Sequence, residues 1–341
     1  MTQARHLWLA ALAAAAAFLT SHAQTSASSL NRSYATDSFE GFDALDEDKR
    51  IPQKSKSFWC SVDEETAAAQ LEFATKMEAL GRDRAALKAY DALVREWPTS
   101  LEAAQAQFAL AQLLEKTQRF EKAFDEYQYL ITHYAGHCPY NEALDRQFRA
   151  ANYLLHNNTS MFGWKLSGTD RIRERFEQIV RNAPRSAIAP EVMLIIGSIR
   201  VSAKEREEAI AVYDGLMNRF PSTQQAIAAA YLAAQCRYEL AVKHNYNEPR
   251  CKEAIAFFKA VLARVPNHPQ KEQMAGWLNE LTELRLEQNY QQAVFYDTQQ
   301  RKPEAAKAAY RRFLAEYADS KHAQQVRDRL AELEKGATPQ K

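Results

Sequence analysis

A fixed spacing of apolar, aromatic and turn-forming residues recurs along the chain. In each set an alanine or isoleucine is followed four residues later by an aromatic residue, and twelve residues later by proline or alanine. Self-similarity of this kind is typical of stacked repeats, in which each unit buries its apolar face against its neighbours. The sets are Ala86, Tyr90, Pro98; Ala123, Tyr127, Ala135; Ile172, Phe176, Pro184; Ala209, Tyr213, Pro221; Ala254, Phe258, Pro266; and Ala306, Tyr310, Ala318.

Each repeat predicts two antiparallel helices. In the first repeat, a helix over about 64–80 ends at Gly81, where the chain needs a positive φ. A second helix over 83–97 begins at Asp83 as a cap, and Pro98 stops it. The small residue of each set lets the two helices approach, and the aromatic residue is expected to fill the gap to the following repeat. The pattern therefore predicts an all-α solenoid of five to six helical hairpins.

Insertions make the repeats unequal in length. One covers 156–168, a second covers 243–249, and a third lengthens 272–300, which is predicted to be one long helix. Insertions in a solenoid map to loops on one face, which is often the binding face.

The amino terminus has the pattern of an export signal. Arg5 precedes an apolar stretch over 7–19, and Ser21-His22-Ala23 places small residues at a cleavage site. Because this stretch is shorter than the roughly 20 residues that span a bilayer, a cleaved signal peptide is favoured over an uncleaved anchor. We predict a signal peptide over 1–23, a disordered linker over 24–58, a repeat domain over 59–335 and a disordered tail over 336–341.

The composition gives little indication of a catalytic, nucleic-acid-binding or metal-binding site. The formal net charge of +1 gives no electrostatic case for nucleic acid or an anionic membrane surface, and the 9 glycines form no phosphate-binding loop. His133, His137 and Cys138 are close in sequence, but they make an incomplete metal-ligand set and are read as a polar turn. We therefore expect no catalytic, cofactor-binding or metal-ligating residue, and we expect the protein not to be an enzyme.

The four cysteines leave two readings open. Export would place them in an oxidising compartment, where Cys236 and Cys251 are the favoured pair and Cys60 with Cys138 is another. Buried or lone thiols are an equal alternative, because a large helical array needs no covalent staple.

Residues of the first repeat carry a family resemblance. Gly81, Ala86, Tyr90 and Pro98 resemble the tetratricopeptide repeat, which implies a right-handed superhelical solenoid that binds polypeptides. A closer resemblance is to the BamD-like outer-membrane assembly factors. It is carried by the stretches 140–148, 161–164 with 169–171, and 290–317.

That second resemblance implies a function. The protein is expected to be a periplasmic scaffold of the β-barrel assembly machinery at the cell outer membrane, supporting protein insertion into the membrane. Its expected partners are the periplasmic domains of the barrel-forming subunit and unfolded outer-membrane proteins. The lipid-carrying cysteine typical of the family is missing from the signal region, so we expect peripheral association without lipidation.

Two other functions were weighed. A Tol–Pal-type envelope or division protein also pairs an export signal with such repeats, but residues 24–58 lack the heptads of its usual coiled coil. A helical-array glycosidase or lytic transglycosylase needs a catalytic carboxylate in a cleft domain, and we expect too few residues after the repeats to form such a domain.

Partner contacts are expected on the first helix of each hairpin, whose exposed side lines a concave surface, and on the charged last repeat. Apolar residues among amides there suit an extended peptide, although Phe108 fits inter-repeat packing equally well. The predicted residues are Leu71, Thr75, Glu78, Gln105, Phe108, Gln112, Glu115, Arg311 and Arg312.

Overall fold

The structure is a computed structural model that describes residue 54 and residues 62–159, 168–242 and 248–335. All described residues belong to one compact unit, Gln53–Lys341. The predicted signal peptide, nearly all of the linker, Cys60, most of the insertions at 156–168 and 243–249, and the tail lie outside the described residues.

The described residues form thirteen α-helices and one π-helix, with no β-strand among them. The bounds are α1 Ala67–Ala79, α2 Asp83–Glu96, α3 Leu101–Lys116, α4 Phe120–His133, α5 Tyr140–Thr159, α6 Thr169–Asn182, α7 Ala189–Ser202, α8 Arg206–Arg219, α9 Gln224–Val242, α10 Glu248–Arg264, α11 Lys271–Val294, the π-helix Phe295–Gln299, α12 Pro303–Glu316 and α13 Ala323–Lys335.

Consecutive helices pack as hairpins. We number these hairpins 1 to 6 from α1–α2 to α11–α12, and α13 packs on α12. The first helix of one hairpin also contacts the first helix of the next, as in the pairs α1 and α3, α7 and α9, and α9 and α11. The predicted all-α stack of five to six hairpins is confirmed, and it is consistent with a tetratricopeptide-repeat superhelix.

The repeated residues lie at the centre of this packing. Every alanine, isoleucine and aromatic residue that begins the six sets is buried on the second helix of its hairpin. Tyr213 shows that the aromatic ring packs on its own hairpin as well as on the next one, because it shares a core cluster with Ala226 and Ala229 of α9. A Cβ on Gly197 of α7 would lie 2.2 Å from Cε1 of Tyr213 on α8, so the ring occupies the space beside that glycine.

Helix ends follow local chemistry with one correction. Gly81 has a φ of 69°, as predicted for the α1–α2 turn, and Ser100 caps α3 by accepting a 3.1 Å hydrogen bond from the Ala103 amide. Asp83 is not the cap of α2: Arg82 holds that position and Asp83 lies in the first turn. An acid in the first turn is stabilised by the helix dipole without capping it.

The later elements also match expectation in part. The long helix predicted over 272–300 is α11 followed directly by the π-helix. No helix among the described residues is long and apolar enough to cross a membrane. Cys138, Cys236 and Cys251 are free thiols, so the favoured pairing of Cys236 with Cys251 is wrong. Burial raises the pKa of Cys236 to about 12.

Candidate binding surface on the first helices

The residues predicted to contact a partner in the first two hairpins are gathered on two touching helices. They lie on α1 and α3, which pack against each other. Thr75 and Gln105 are exposed, and the others are partly buried. We call this set the α1–α3 row: Leu71, Thr75, Glu78, Gln105, Phe108, Gln112 and Glu115.

Two carboxylates of the α1–α3 row are held by the buried tyrosines. Tyr90 Oη donates a 2.8 Å hydrogen bond to Glu78 Oε2, and Tyr127 Oη donates an equal bond to Glu115 Oε2. Burial and the adjacent carboxylates raise the pKa of both phenols, so the tyrosines stay neutral donors. Each pair is twelve residues apart. These carboxylates are fixed in place before any partner arrives.

Phe108 belongs both to the packing and to the surface. Its ring meets Tyr127 edge-on, with centroids 6.2 Å apart, and the Arg146 guanidinium lies 5.9 Å from its centroid. Arg146 is in turn fixed by Glu115 at 3.2 Å and by Glu142 at 2.9 Å. Part of the Phe108 ring nonetheless remains accessible. The ring is therefore a preorganised apolar contact, because its neighbours already fix its position.

Hairpin 5 has a pair of aromatic residues on its first helix that the sequence analysis did not predict. Tyr231 and Tyr238 of α9 are seven residues apart, as are Leu71 and Glu78 of α1. Trp277 of α11 stacks on both tyrosine rings, with centroids 5.6 and 5.2 Å away. The shared spacing of seven residues could have indicated this pair in the sequence. The prediction did not use it, because the fixed spacing of the sets lies on the second helices.

Buried amides tie the hairpins together and were also missed. Gln70, Gln107 and Gln147 are fully buried on the first helices of hairpins 1 to 3. Gln70 Nε2 donates to the Ala89 carbonyl at 3.3 Å, and Gln107 Nε2 donates to the Glu126 carbonyl at 2.9 Å. A glutamine on a helix is usually exposed, so the sequence alone did not indicate these contacts.

The two predicted arginines lie on a different part of the stack. Arg311 and Arg312 are exposed on α12, where Arg311 pairs with Glu334 at 2.5 Å and Arg312 with Glu248 at 3.4 Å. Arg312 also borders a cavity of about 320 Å³ that includes Asn289 and Tyr296. The structure thus places these arginines in hairpin 6, apart from the α1–α3 row in hairpins 1 and 2.

His133, His137 and Cys138 do not belong to a cluster of metal ligands. Within the ranges that the structure describes, no group of three or more His, Cys, Asp and Glu residues is placed to hold a metal ion. Burial, together with the nearby charge of Lys54, lowers the pKa of His133.

A comparison with protein-family profiles identifies the repeat at two places. The tetratricopeptide-repeat family profile matches residues 191–223, in hairpin 4, and residues 289–320, in hairpin 6. No curated protein sequence gives a significant match.

Several solved structures are similar at low identity. A thermophilic tetratricopeptide-repeat protein of Thermus thermophilus is 18% identical, with a TM-score of 0.30, over 62% of this chain and 99% of that one. A repeat protein of Parabacteroides merdae is 10% identical, with a TM-score of 0.32, over 79% and 98%. YrrB, a repeat protein with an unusual peptide-binding site, is 13% identical, with a TM-score of 0.32, over 63% and 94%. At these sequence identities and TM-scores, no functional property of those proteins is assigned to this chain.

The direct family matches cover one central hairpin and the last one. The other described hairpins repeat the same buried small and aromatic residues at the same spacing. Residues 191–223 and 289–320 are therefore assigned to the tetratricopeptide-repeat family, and the fold of the other described hairpins is consistent with it.

Proposed function

We propose that this protein is a non-catalytic scaffold that binds extended polypeptide segments on the first helices of its hairpins. Tetratricopeptide repeats form protein-binding surfaces from stacked units, and each unit adds a strip of contacts to the surface. The partner is another protein, and no bond is made or broken.

One observation carries this proposal. Leu71 and Phe108 are partly exposed at equivalent positions of neighbouring first helices, both 19 residues before the buried tyrosine of their hairpin. Beside them, Glu78 and Glu115 are fixed by those tyrosines. Repeated apolar contacts beside polar groups suit an extended chain, whose side chains enter shallow pockets while its amides bind polar groups. Preorganisation reduces the entropy lost on binding.

The finer role that we propose is in the assembly of outer-membrane β-barrels. The support is the export-type amino terminus together with the resemblance of 140–148 and 290–317 to BamD-like factors. In this role the protein acts in the periplasm at the outer membrane, without lipidation. The α1–α3 row binds unfolded barrel proteins, and the α12 surface with Arg311 and Arg312 docks the periplasmic domains of the barrel-forming subunit.

A binding titration tests the scaffold role. A fluorescent, urea-unfolded outer-membrane protein is diluted into the purified mature chain and its anisotropy is followed. Leu71→Ser should weaken binding about five-fold, roughly 1 kcal/mol, because part of an apolar contact is lost. Leu80→Ser is the matched control, since Leu80 is 59% exposed just after α1 and lies outside the row. Circular dichroism melts check that both variants fold.

The possible outcomes distinguish the general scaffold role from the specific role in β-barrel assembly. Equal affinity of the Leu71 and Leu80 variants would remove the α1–α3 row from the binding surface. Equal affinity for an unfolded soluble protein of similar length would leave the scaffold role and reject selectivity for β-barrels.

A further inference from the structure

A lysine from outside the helices is bound in a polar site on hairpins 1 and 2. Lys54 Nζ lies 2.5 Å from Glu126 Oε2 and 3.0 Å from Gln107 Oε1. The same ammonium is 4.5 Å from the centroid of the Tyr129 ring and 4.0 Å from Asp91 Oδ1. Its side chain is only 13% exposed. We call these four contact residues, which lie on α2, α3 and α4, the ammonium site.

The ammonium site is built to accept hydrogen bonds. Gln107 is fully buried, and its Nε2 donates to both the carbonyl and Oε2 of Glu126, at 2.9 and 2.7 Å. This fixes the amide so that Oε1 is left as an acceptor toward Lys54. A carboxylate, an amide oxygen and an aromatic face then surround the ammonium group, which has three donors and no acceptor.

The charges around the site explain why a cation is held there. Arg95 Nε already bonds Asp91 Oδ2 at 2.8 Å. Lys54 is the cation bonded to Glu126, whose side chain is 24% exposed. Burial and the charge of Lys54 lower the pKa of His133 on the same helix, which disfavours a second cation while Lys54 is bound. Removing Lys54 would therefore leave a largely buried carboxylate without its cation, which is unfavourable.

We propose that the ammonium site is a lysine-binding site, and that Lys54 occupies it as an internal latch that a lysine of a partner polypeptide must displace. The site suits a compact ammonium better than a planar guanidinium, which needs two parallel acceptors. A tethered ligand has a high effective concentration, so occupancy by Lys54 lowers the apparent affinity for a competing lysine. Only the identity of the displacing partner rests on the proposed scaffold role.

A zero-length cross-link tests the contact in the unmodified mature chain. Carbodiimide joins an ammonium to a touching carboxylate, and the linked peptides are identified by mass spectrometry. The expected product joins Lys54 to Glu126. Lys116 and Asp83, 3.2 Å apart, provide the positive control. Recovery of the Lys116–Asp83 link without any link from Lys54 to Glu126 or Asp91 would overturn the proposal.

A competition measurement tests the latch. The probe is an acetylated, fluorescent peptide of residues 51–57 in which Lys56 is replaced by Met, so that Lys54 is its one ammonium group. Lys54→Met in the full mature chain should bind this peptide at least ten-fold more tightly than the wild type does. Lys56→Met is the matched control and should bind as the wild type does.

A second variant makes the competition specific. Adding Glu126→Gln to Lys54→Met should remove the gained affinity while the circular dichroism spectrum is unchanged. An unchanged affinity of the Lys54 variant, or an equal gain in the Lys56 control, would overturn the latch. Because the probe is the chain's own segment, this result does not depend on whether unfolded outer-membrane proteins bind.

Discussion

Glu115 and Tyr127 are joined by a 2.8 Å hydrogen bond that links the two helices of hairpin 2. Glu78 and Tyr90 repeat this bond in hairpin 1 at the same distance and with the same separation of twelve residues. The tyrosine that marks each of these two repeats therefore has a structural role beyond filling space. It fixes a carboxylate at the edge of the surface proposed to bind partners.

The first prediction removes this bond without removing the ring. Tyr127→Phe should lower the free energy of unfolding by about 1.5 kcal/mol, because a hydrogen bond to a charged group is lost. Urea unfolding followed by circular dichroism measures the change.

Tyr153→Phe is the control for that variant. Tyr153 is 41% exposed, so the change should stay within about 0.5 kcal/mol. Equal losses in the two variants would show that the bond to Glu115 adds nothing to stability.

The second prediction uses two helical glycines. Gly197→Ala would place a Cβ 2.2 Å from the fully buried Tyr213 ring, and it should destabilise the protein by about 2–3 kcal/mol because the core is overpacked. Gly276→Ala in α11 meets nothing within 4 Å. It should stabilise the protein by about 0.5–1 kcal/mol through helix propensity.

Thermal unfolding of both glycine variants distinguishes contact from propensity. A stabilised Gly197 variant would mean that α7 and α8 are not as close as the structure has them.

The third prediction concerns the thiols. Cys236 and Cys251 are buried and free, and burial raises the pKa of both. Neither should react with iodoacetamide at pH 8 in the folded protein, because the thiolate is the reactive form. Both should react after denaturation without any reductant.

Mass spectrometry of the alkylated peptides reads out the thiol result. Burial raises the pKa of the half-buried Cys138 to about 11 as well, so it is the internal comparison for access: it should react before Cys236 and Cys251, which are almost fully buried. If denatured Cys236 and Cys251 become reactive only after reduction, they form the disulfide that the structure lacks.

The sequence predicted the second helices well and the first helices less well. Ala86 and Tyr90 are buried as expected, because a small residue and an aromatic residue at fixed spacing have few other places in a stack. Gln70 and Gln107 were missed, since their burial depends on carbonyls supplied by the facing helix.

Contacts between residues far apart in sequence could not be predicted from any local sequence pattern. Lys54 meets partners 53 and 72 residues away, and no periodicity encodes such a pairing. Glu78 and Glu115 were correctly placed on the first helices, but their hydrogen bonds to tyrosine across the turn were not foreseen. Tyr231, Tyr238 and Trp277 form a cluster only because α9 and α11 touch.

The central claim is that extended polypeptides bind along the α1–α3 row, and photo-cross-linking tests it most directly. A benzophenone side chain is placed at Gln105, exposed on α3, or at Lys122, exposed on α4 of the same hairpin. Each purified variant is irradiated with an unfolded outer-membrane protein. The account predicts strong cross-links from position 105 and few from position 122. Equal cross-linking from the two positions, or more from position 122, would contradict it.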